Sequence, residues 1–467
     1  MDKNRLTSRI GRYTKVSTAM AGLAARLAGE KFLGLNIDRD VHARQLLESL
    51  GALKGPIMKI GQILATIPEA LPPEYARAFQ ELQSNAPPMG WPFVRRRMKA
   101  ELGDGWEKKF ASFGQSAAAA ASLGQVHKAS LHDGRMVACK LQYPDMSAAI
   151  EADLNQLKLV FSLYERADSA IDTRHIHAEL AARLREELDY NLEARYCGLY
   201  ADILKDESRV AVPAVVPELS TARLLTSTWL EGQRILDFVD APEAVRNEIA
   251  LNLFRAWYVP LYFYGVIHGD PHLGNYSVRP DHGLNLLDFG CVRVFRPAFV
   301  GGVIDLYHAL QDNDRARAVH AYESWGFENL SNDLIDILNT WARFLYGPLL
   351  EDRERVIGQA TKRSEGGGMY GHETAIEVHR RLRAAGGVIV PREFVFMDRA
   401  ALGLGSVFIH LQARINWHKL FNEMIEGFDT AALAARQAEI LPRHNLPLPE
   451  DAQIGYPESV KTRKRKK

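Results

Sequence analysis

Asp270, Asn275 and Asp288 are the side chains whose types and spacing best suit chemistry on a phosphorylated ligand. The first two lie in His268-Gly269-Asp270-Pro271-His272-Leu273-Gly274-Asn275, an acid followed by an amide five positions on. An acid so placed can orient an attacking hydroxyl or water, and a neutral amide oxygen suits a hard cation such as Mg²⁺. Asp288 follows Asn275 by 13 residues and opens Asp288-Phe289-Gly290 after the apolar pair Leu286-Leu287. A turn at 280–283 makes the intervening stretch a hairpin, which returns the second carboxylate beside the first loop, where it can bridge Mg²⁺ to phosphates. Lys140 ends Val137-Ala138-Cys139-Lys140. A lysine at the end of such a strand offers a compact positive charge to α- and β-phosphates. His268 and His272 have H-x-x-x-H spacing, but the glutamate of HExxH is missing and Pro271 would break a helix carrying both, so zinc is not expected.

These residues need elements to bring them together. Ala117 to Ala129 reads AAAAASLGQVHKA. A glycine-rich phosphate loop is written G-x-G-x-x-G-x-V. With Gly124 on the third glycine and Val126 on the valine, Ala119 and Ala121 replace the first two. Ser122 and Gly124 can still bring backbone N–H groups near phosphates, although the alanine methyls crowd the approach. The turn signal His132-Asp133-Gly134 predicts strand, hairpin and strand up to about Tyr143. Residues 146–205 read as long helices, 210–230 as strands, 241–263 as helix and 267–294 as short apolar runs between turns. The remainder to about 440 reads as mostly helical, with a loop around Gly366, Gly367 and Gly368.

The whole chain narrows the class. It has 467 residues, 58 Lys+Arg against 57 Asp+Glu, and a net charge of +1. That balance excludes a basic nucleic-acid coat and an acidic disordered solvator, and no nucleic-acid partner is expected. A hydrophobic share of 47% can build a sizeable core. Three scattered cysteines exclude a disulfide scaffold and fit a reducing compartment. The polar, basic start has no secretory signal, and the apolar runs at 256–267 and 402–413 fall short of the ~20 residues that span a bilayer. A cytoplasmic protein is expected, with room for peripheral contact at the inner membrane. Val16, Met20, Leu23 and Leu27 form a helical stripe among basic residues, which packs on the main body or lies on a membrane surface. The tail KTRKRKK, residues 461–467, reads as solvated and disordered.

Taken in order, these motifs resemble those of the UbiB/AarF family of atypical kinases, also called ADCK-type kinases. Lys59-Ile60-Gly61-Gln62 looks like the family's KxGQ motif, the alanine run like its replacement for the glycine-rich loop, and Glu187-Leu188-Asp189 like its ExD motif. The HGDPHLGN loop looks like HGDPHPGN, with Leu273 where proline is usual, and Cys139 stands for the usual isoleucine of V-A-I-K. Motif similarity covers about residues 50–310 and extends weakly over 391–404.

The resemblance implies an α+β, protein-kinase-like bilobal fold with a small β-containing lobe, a helical large lobe and an N-terminal helical extension. The expected divisions are a helical segment at 1–50, the KxGQ extension at 51–105, the small lobe at 106–235, the large lobe at 236–440 and the tail at 441–467. It implies ATP and Mg²⁺ as cofactors, with Asp270, Lys140 and Asn275 catalytic and Asn275 and Asp288 on the metal. Ala119, Ala121, Ser122, Gly124, Val126 and Lys140 would line the nucleotide, with Lys59 and Gln62 laid over it. Glu187 and Asp189 are two apart, so one helix cannot point both the same way, whereas Glu193 lies nearly on the side of Glu187. Either glutamate could pair with Lys140. Glu193 is the expected partner, with Glu187 and Asp189 facing the KxGQ segment. The function implied is an atypical kinase or ATPase supporting ubiquinone or other prenyl-lipid metabolism, with prenyl-lipid or quinone precursors and lipid-biosynthesis proteins as partners. Two other readings stay open: a nucleotide-binding regulatory pseudokinase without turnover, and a small-molecule phosphotransferase.

Overall fold

The computed structural model describes residues 89–155, 181–357 and 372–449, apart from residues 122, 153, 183, 386–387 and 389–390. The stripe at Val16–Leu27, the segment Lys59–Gln62, Ser122, the Gly366–Gly368 run and the tail at 461–467 therefore lie outside the described residues.

Helix α1 (Trp91–Leu102) precedes strands β1 (Ser112–Phe113), β2 (Ala119–Ala121), β3 (Gly124–Ser130) and β4 (Met136–Gln142). Alternating burial along β4 explains the lobe. Val137, Cys139 and Leu141 are fully buried on one face, so Lys140 must point from the other. The inward face packs on Phe93, Val94 and Met98 of α1 and on Trp106 and Phe110. The hairpin closes as its sequence predicts: Gly134 takes a positive φ of 87° and Asp133 Oδ1 accepts from Arg135 N at 3.0 Å.

Helix α2 (Tyr190–Ile203) crosses to the second lobe. Here the reading of long helices across 146–205 needs correction. Residues 187–188 form a turn, and the Asp189 side chain accepts from Asn191 N and Leu192 N, capping a new helix. Glu187 and Glu193 are therefore not on one helix. Strands β5 (Val210–Ala211) and β6 (Leu224–Thr228) follow, and β6 completes an antiparallel sheet in the order β1-β3-β4-β6, with β2 also on β3.

The large lobe starts from α3 (Glu243–Tyr264), whose apolar length is largely buried. Gly265 ends it at φ +64°, and a Cβ there would stand 2.9 Å from Phe295 O, so only glycine makes this turn without strain. The chain then enters β7 (Val266–His268), β8 (Tyr276–Val278), β9 (Leu284–Leu286) and β10 (Val292–Val294). Strand β10 pairs with β7, and β5-β9-β8 form a small mixed sheet. Helices α4 (Pro297–Asp312), α5 (Arg315–Ser324) and α6 (Asn332–Leu350) come next, then β11 (Arg355–Val356), α7 (His372–Ala384) and α8 (Arg392–Leu411). Strand β12 (Arg414–Ile415) and helices α9 (Trp417–Ile425) and α10 (Thr430–Arg443) complete the lobe. Two separate hydrophobic cores, one per lobe, match the bilobal α+β expectation. Among the described residues no helix is long and apolar enough to cross a membrane.

Candidate active site

Lys140 is the centre of the cleft. Its Nζ donates to Glu193 Oε1 at 2.6 Å and to Asp288 Oδ2 at 2.7 Å. Three elements distant in sequence meet at this point: β4, α2 and the end of the β8–β9 hairpin. Glu193 reaches it because it shares one buried face of α2 with Tyr190, Cys197 and Tyr200. Of the two glutamates that could pair with the lysine, Glu193 is the one in contact. The Tyr190 ring adds a cation–π contact, 5.3 Å from Nζ.

The charges are unequal in their surroundings. Burial opposes the charge of Lys140, but Asp288 and then Glu193 outweigh it and hold the ammonium well above its ordinary range. Burial pushes the Glu193 carboxyl up to about 7, against the pull of Lys140 and with help from the like charge of Asp288. Two acids share one lysine, and the more enclosed acid carries the cost.

The two acidic loops are tied by one imidazole. His268 is buried at the end of β7. Its Nδ1 accepts from Asp270 N at 3.3 Å, which puts the ring proton on Nε2, and Nε2 donates to Asp288 O. Asn275 Nδ2 donates to Asp270 O at 3.0 Å, and Asn275 O accepts from Leu287 N at 3.0 Å. Asp288 Oδ1 accepts from Gly290 N at 2.9 Å. Phe289 is buried against Tyr200 and His268, with ring centroids 5.3 and 6.0 Å away. The loop carrying Asp270 and Asn275 and the loop carrying Asp288 thus form one hydrogen-bonded unit. The sequence reading weighed His268 only as a metal ligand. Its positioning role was missed, and the apolar run Val266-Ile267 leading into it was the available signal of burial. His272 caps a short 3₁₀ turn and shares no helix with His268.

The remaining expected residues fall as follows. Ala119 and Ala121 lie in β2, opposite Val126 and Gly124 of β3, and Val126 lies opposite Lys140. At Gly124 a Cβ would meet Leu141 O at 2.4 Å and Tyr190 Oη at 2.9 Å, so this glycine permits the close approach of β3 to β4 and α2. Glu187 sits over the second loop, its Cγ 3.8 Å from where a Cβ on Gly290 would be. Its neighbour Glu186 pairs with Arg293 at 2.6 Å. Asp189 is engaged as the cap of α2.

The donor set suits Mg²⁺ better than a softer metal. Asp288 and Asn275 offer hard oxygens, and among the described residues no group of three or more His, Cys, Asp or Glu could hold a metal ion. A few protein oxygens completed by phosphates is how Mg²⁺ is ordinarily bound in phosphoryl-transfer sites.

A small sheet carrying a lysine, a helix glutamate paired to it, and a helical lobe supplying two acids and an amide define a protein-kinase-like fold. The model of the ABC1 atypical kinase-like domain matches residues 81–322, more than half of the chain, and the chain belongs to that family. The UbiB/AarF resemblance thus holds. Atypical kinase coq-8, mitochondrial, of Caenorhabditis elegans is 29% identical over 323 residues, 68% of this chain and 43% of that relative. Atypical kinase COQ8, mitochondrial, of Saccharomyces cerevisiae is 31% identical over 307 residues, 63% of this chain and 61% of that relative. A solved complex of Rv3197 with erythromycin, from Mycobacterium tuberculosis, matches with a TM-score of 0.54 and 28% identity, covering 83% of this chain and 96% of that one. The chain spans about half the length of the curated relatives it matches.

Proposed function

We propose that this protein binds ATP with Mg²⁺ in the cleft and transfers the γ-phosphoryl group, to water or to an acceptor, as an atypical kinase or ATPase. One observation carries the reading: a strand lysine stands between a helix glutamate and the acid of an Asp-Phe-Gly loop, with Asp270 and Asn275 tied to that loop through His268. In this reading Lys140 binds the α- and β-phosphates and Glu193 fixes its direction. Asp288 and Asn275 hold Mg²⁺, which when bound neutralises charge building on the phosphates. Asp270 accepts a hydrogen bond from the attacking hydroxyl or water and orients it. Backbone at Gly124, flanked by Ala119, Ala121, Ser122 and Val126, lies along the phosphates. Lys59 and Gln62 cover the nucleotide, with Glu187 and Asp189 facing them. Positioning and preorganised charge carry the rate.

The kinship with proteins named COQ8 supports a place in ubiquinone or related prenyl-lipid metabolism, with prenyl-lipid or quinone precursors and lipid-biosynthesis proteins as partners and a membrane surface as the workplace. The test is Mg²⁺-dependent phosphate release from ATP by the full chain, compared with Asp288→Asn. Removing one charged group from a preorganised site should lower release by about 10²–10³-fold. Equal release by the two proteins would sink the assignment.

A further inference from the structure

Beneath the cleft, the large lobe holds a second concave space. Its walls are apolar, aliphatic and aromatic side chains together, the aromatic ones including Trp257 of α3, Trp325, Trp341 and Tyr346 of α6, and Phe394 of α8. Its interior volume is about 90 Å³ and it opens to solvent, so a ligand seated there extends into the mouth.

One lining side chain does not fit an apolar packing site. Asp398 projects from α8 among these rings. Trp341 Nε1 donates to its Oδ1 at 2.5 Å, and no other hydrogen bond or ion pair reaches it among the described residues. Asp398 keeps accessible surface although protein encloses it, and that surface is part of the cavity wall. The other two indoles turn their donors away, Trp257 to Tyr276 Oη at 3.0 Å and Trp325 to Phe299 O at 3.0 Å. A carboxyl in such surroundings is costly unless something completes its hydrogen bonding. Ring faces attract positive charge, and a carboxylate that no cation among the described residues meets can accept an ammonium N–H.

We propose that this cavity binds a hydrophobic amine, its apolar body against the aromatic rings and its ammonium donating to Asp398. The site is separate from the nucleotide cleft but adjoins its floor. Ile267 lines the cavity one residue before His268, and Gly403 of α8 lies so close to Pro271 that a Cβ there would stand 2.0 Å from the proline ring.

Three probes of one shape test this on the full chain: phenylbutylamine, phenylbutanol and butylbenzene, titrated while indole fluorescence is followed. The amine should bind about ten- to a hundredfold more tightly than butylbenzene, the size of a hydrogen bond to a charged group. Asp398→Asn should erase that preference and keep butylbenzene binding. Equal binding of amine and hydrocarbon by the unmodified protein overturns the proposal without any variant. So does tighter binding of the alcohol than of the amine, or an amine preference that survives in Asp398→Asn.

Discussion

Glu193 and Asp398 are both acids on the buried side of a helix, one at the cleft and one at the aromatic cavity. Burial pushes each carboxyl up to about 7. Their company differs. Glu193 has Lys140 at 2.6 Å, and beyond the lysine stands Asp288. Asp398 has an indole N–H. A buried acid whose counter-charge the chain supplies becomes a device for aiming that cation. A buried acid without one bears the desolvation cost with little return, and is stable only because the neutral form is within reach at ordinary pH. The same shift therefore marks internal machinery in one place and an incomplete binding surface in the other.

If that distinction is right, the largest separation between the two acids is in turnover. Glu193→Gln keeps the shape of the side chain but leaves Lys140 tethered to Asp288 alone, and a misdirected lysine should cost about 10- to 100-fold in phosphate release. The pH profile sharpens this. Glu193 must be ionised to aim the lysine, so release should rise from about pH 6 to 8 with an apparent midpoint near 7. The glutamine variant should lose that limb. Identical profiles would mean that Glu193 does not hold Lys140 during catalysis.

How much of this could be read in the chain depends on what each residue answers to. The D-x-x-x-x-N spacing, the Asp-Phe-Gly loop and the strand lysine are local patterns, so Asp270, Asn275, Asp288 and Lys140 could be named, and the hairpin geometry that joins them follows from Gly134 and the turn at 280–283. Glu193 is named on the expectation that it lies nearly on the side of Glu187 along one helix; that helix breaks at Asp189, and Glu193 reaches Lys140 instead from the buried face it shares with Tyr190, Cys197 and Tyr200. The helix break at Asp189 was not legible, because the Glu- and Leu-containing stretches on both sides suit helix; Asp itself favours caps, and the bonds it accepts from Asn191 N and Leu192 N show it capping α2. His268 and Gly124 owe their roles to atoms far along the chain: the Asp288 carbonyl, the Leu141 carbonyl and the Tyr190 hydroxyl. Asp398 was illegible for the same reason, since residues 391–404 read only as helix with weak family similarity until the facing rings of α3 and α6 are known.

Stability separates the two acids next. Asp398 holds its proton up to about 7 in the folded protein, against an ordinary 3.8. Between about pH 4 and 7 the folded state binds more protons than the unfolded chain, so this residue's contribution falls as pH rises and levels off above 7. Asp398→Asn cannot ionise. It should match the unmodified protein near pH 4 and exceed it by on the order of 4 kcal/mol at pH 8, measured by urea denaturation. A constant difference at all pH values would place Asp398 in water and end the comparison.

The smallest effect tests the indole itself. Trp341→Phe removes the donor at 2.5 Å from Asp398 and also removes part of a wall. The lost packing weighs equally at every pH, so comparing pH 8 with pH 5 isolates the hydrogen bond to the ionised acid. The variant should lose about 1 kcal/mol more at pH 8 than at pH 5, because a donor is worth more to a carboxylate than to a neutral acid. Equal losses would show that Asp398 stays protonated or is solvated through the mouth of the cavity, and then the contrast with Glu193 would rest on geometry alone.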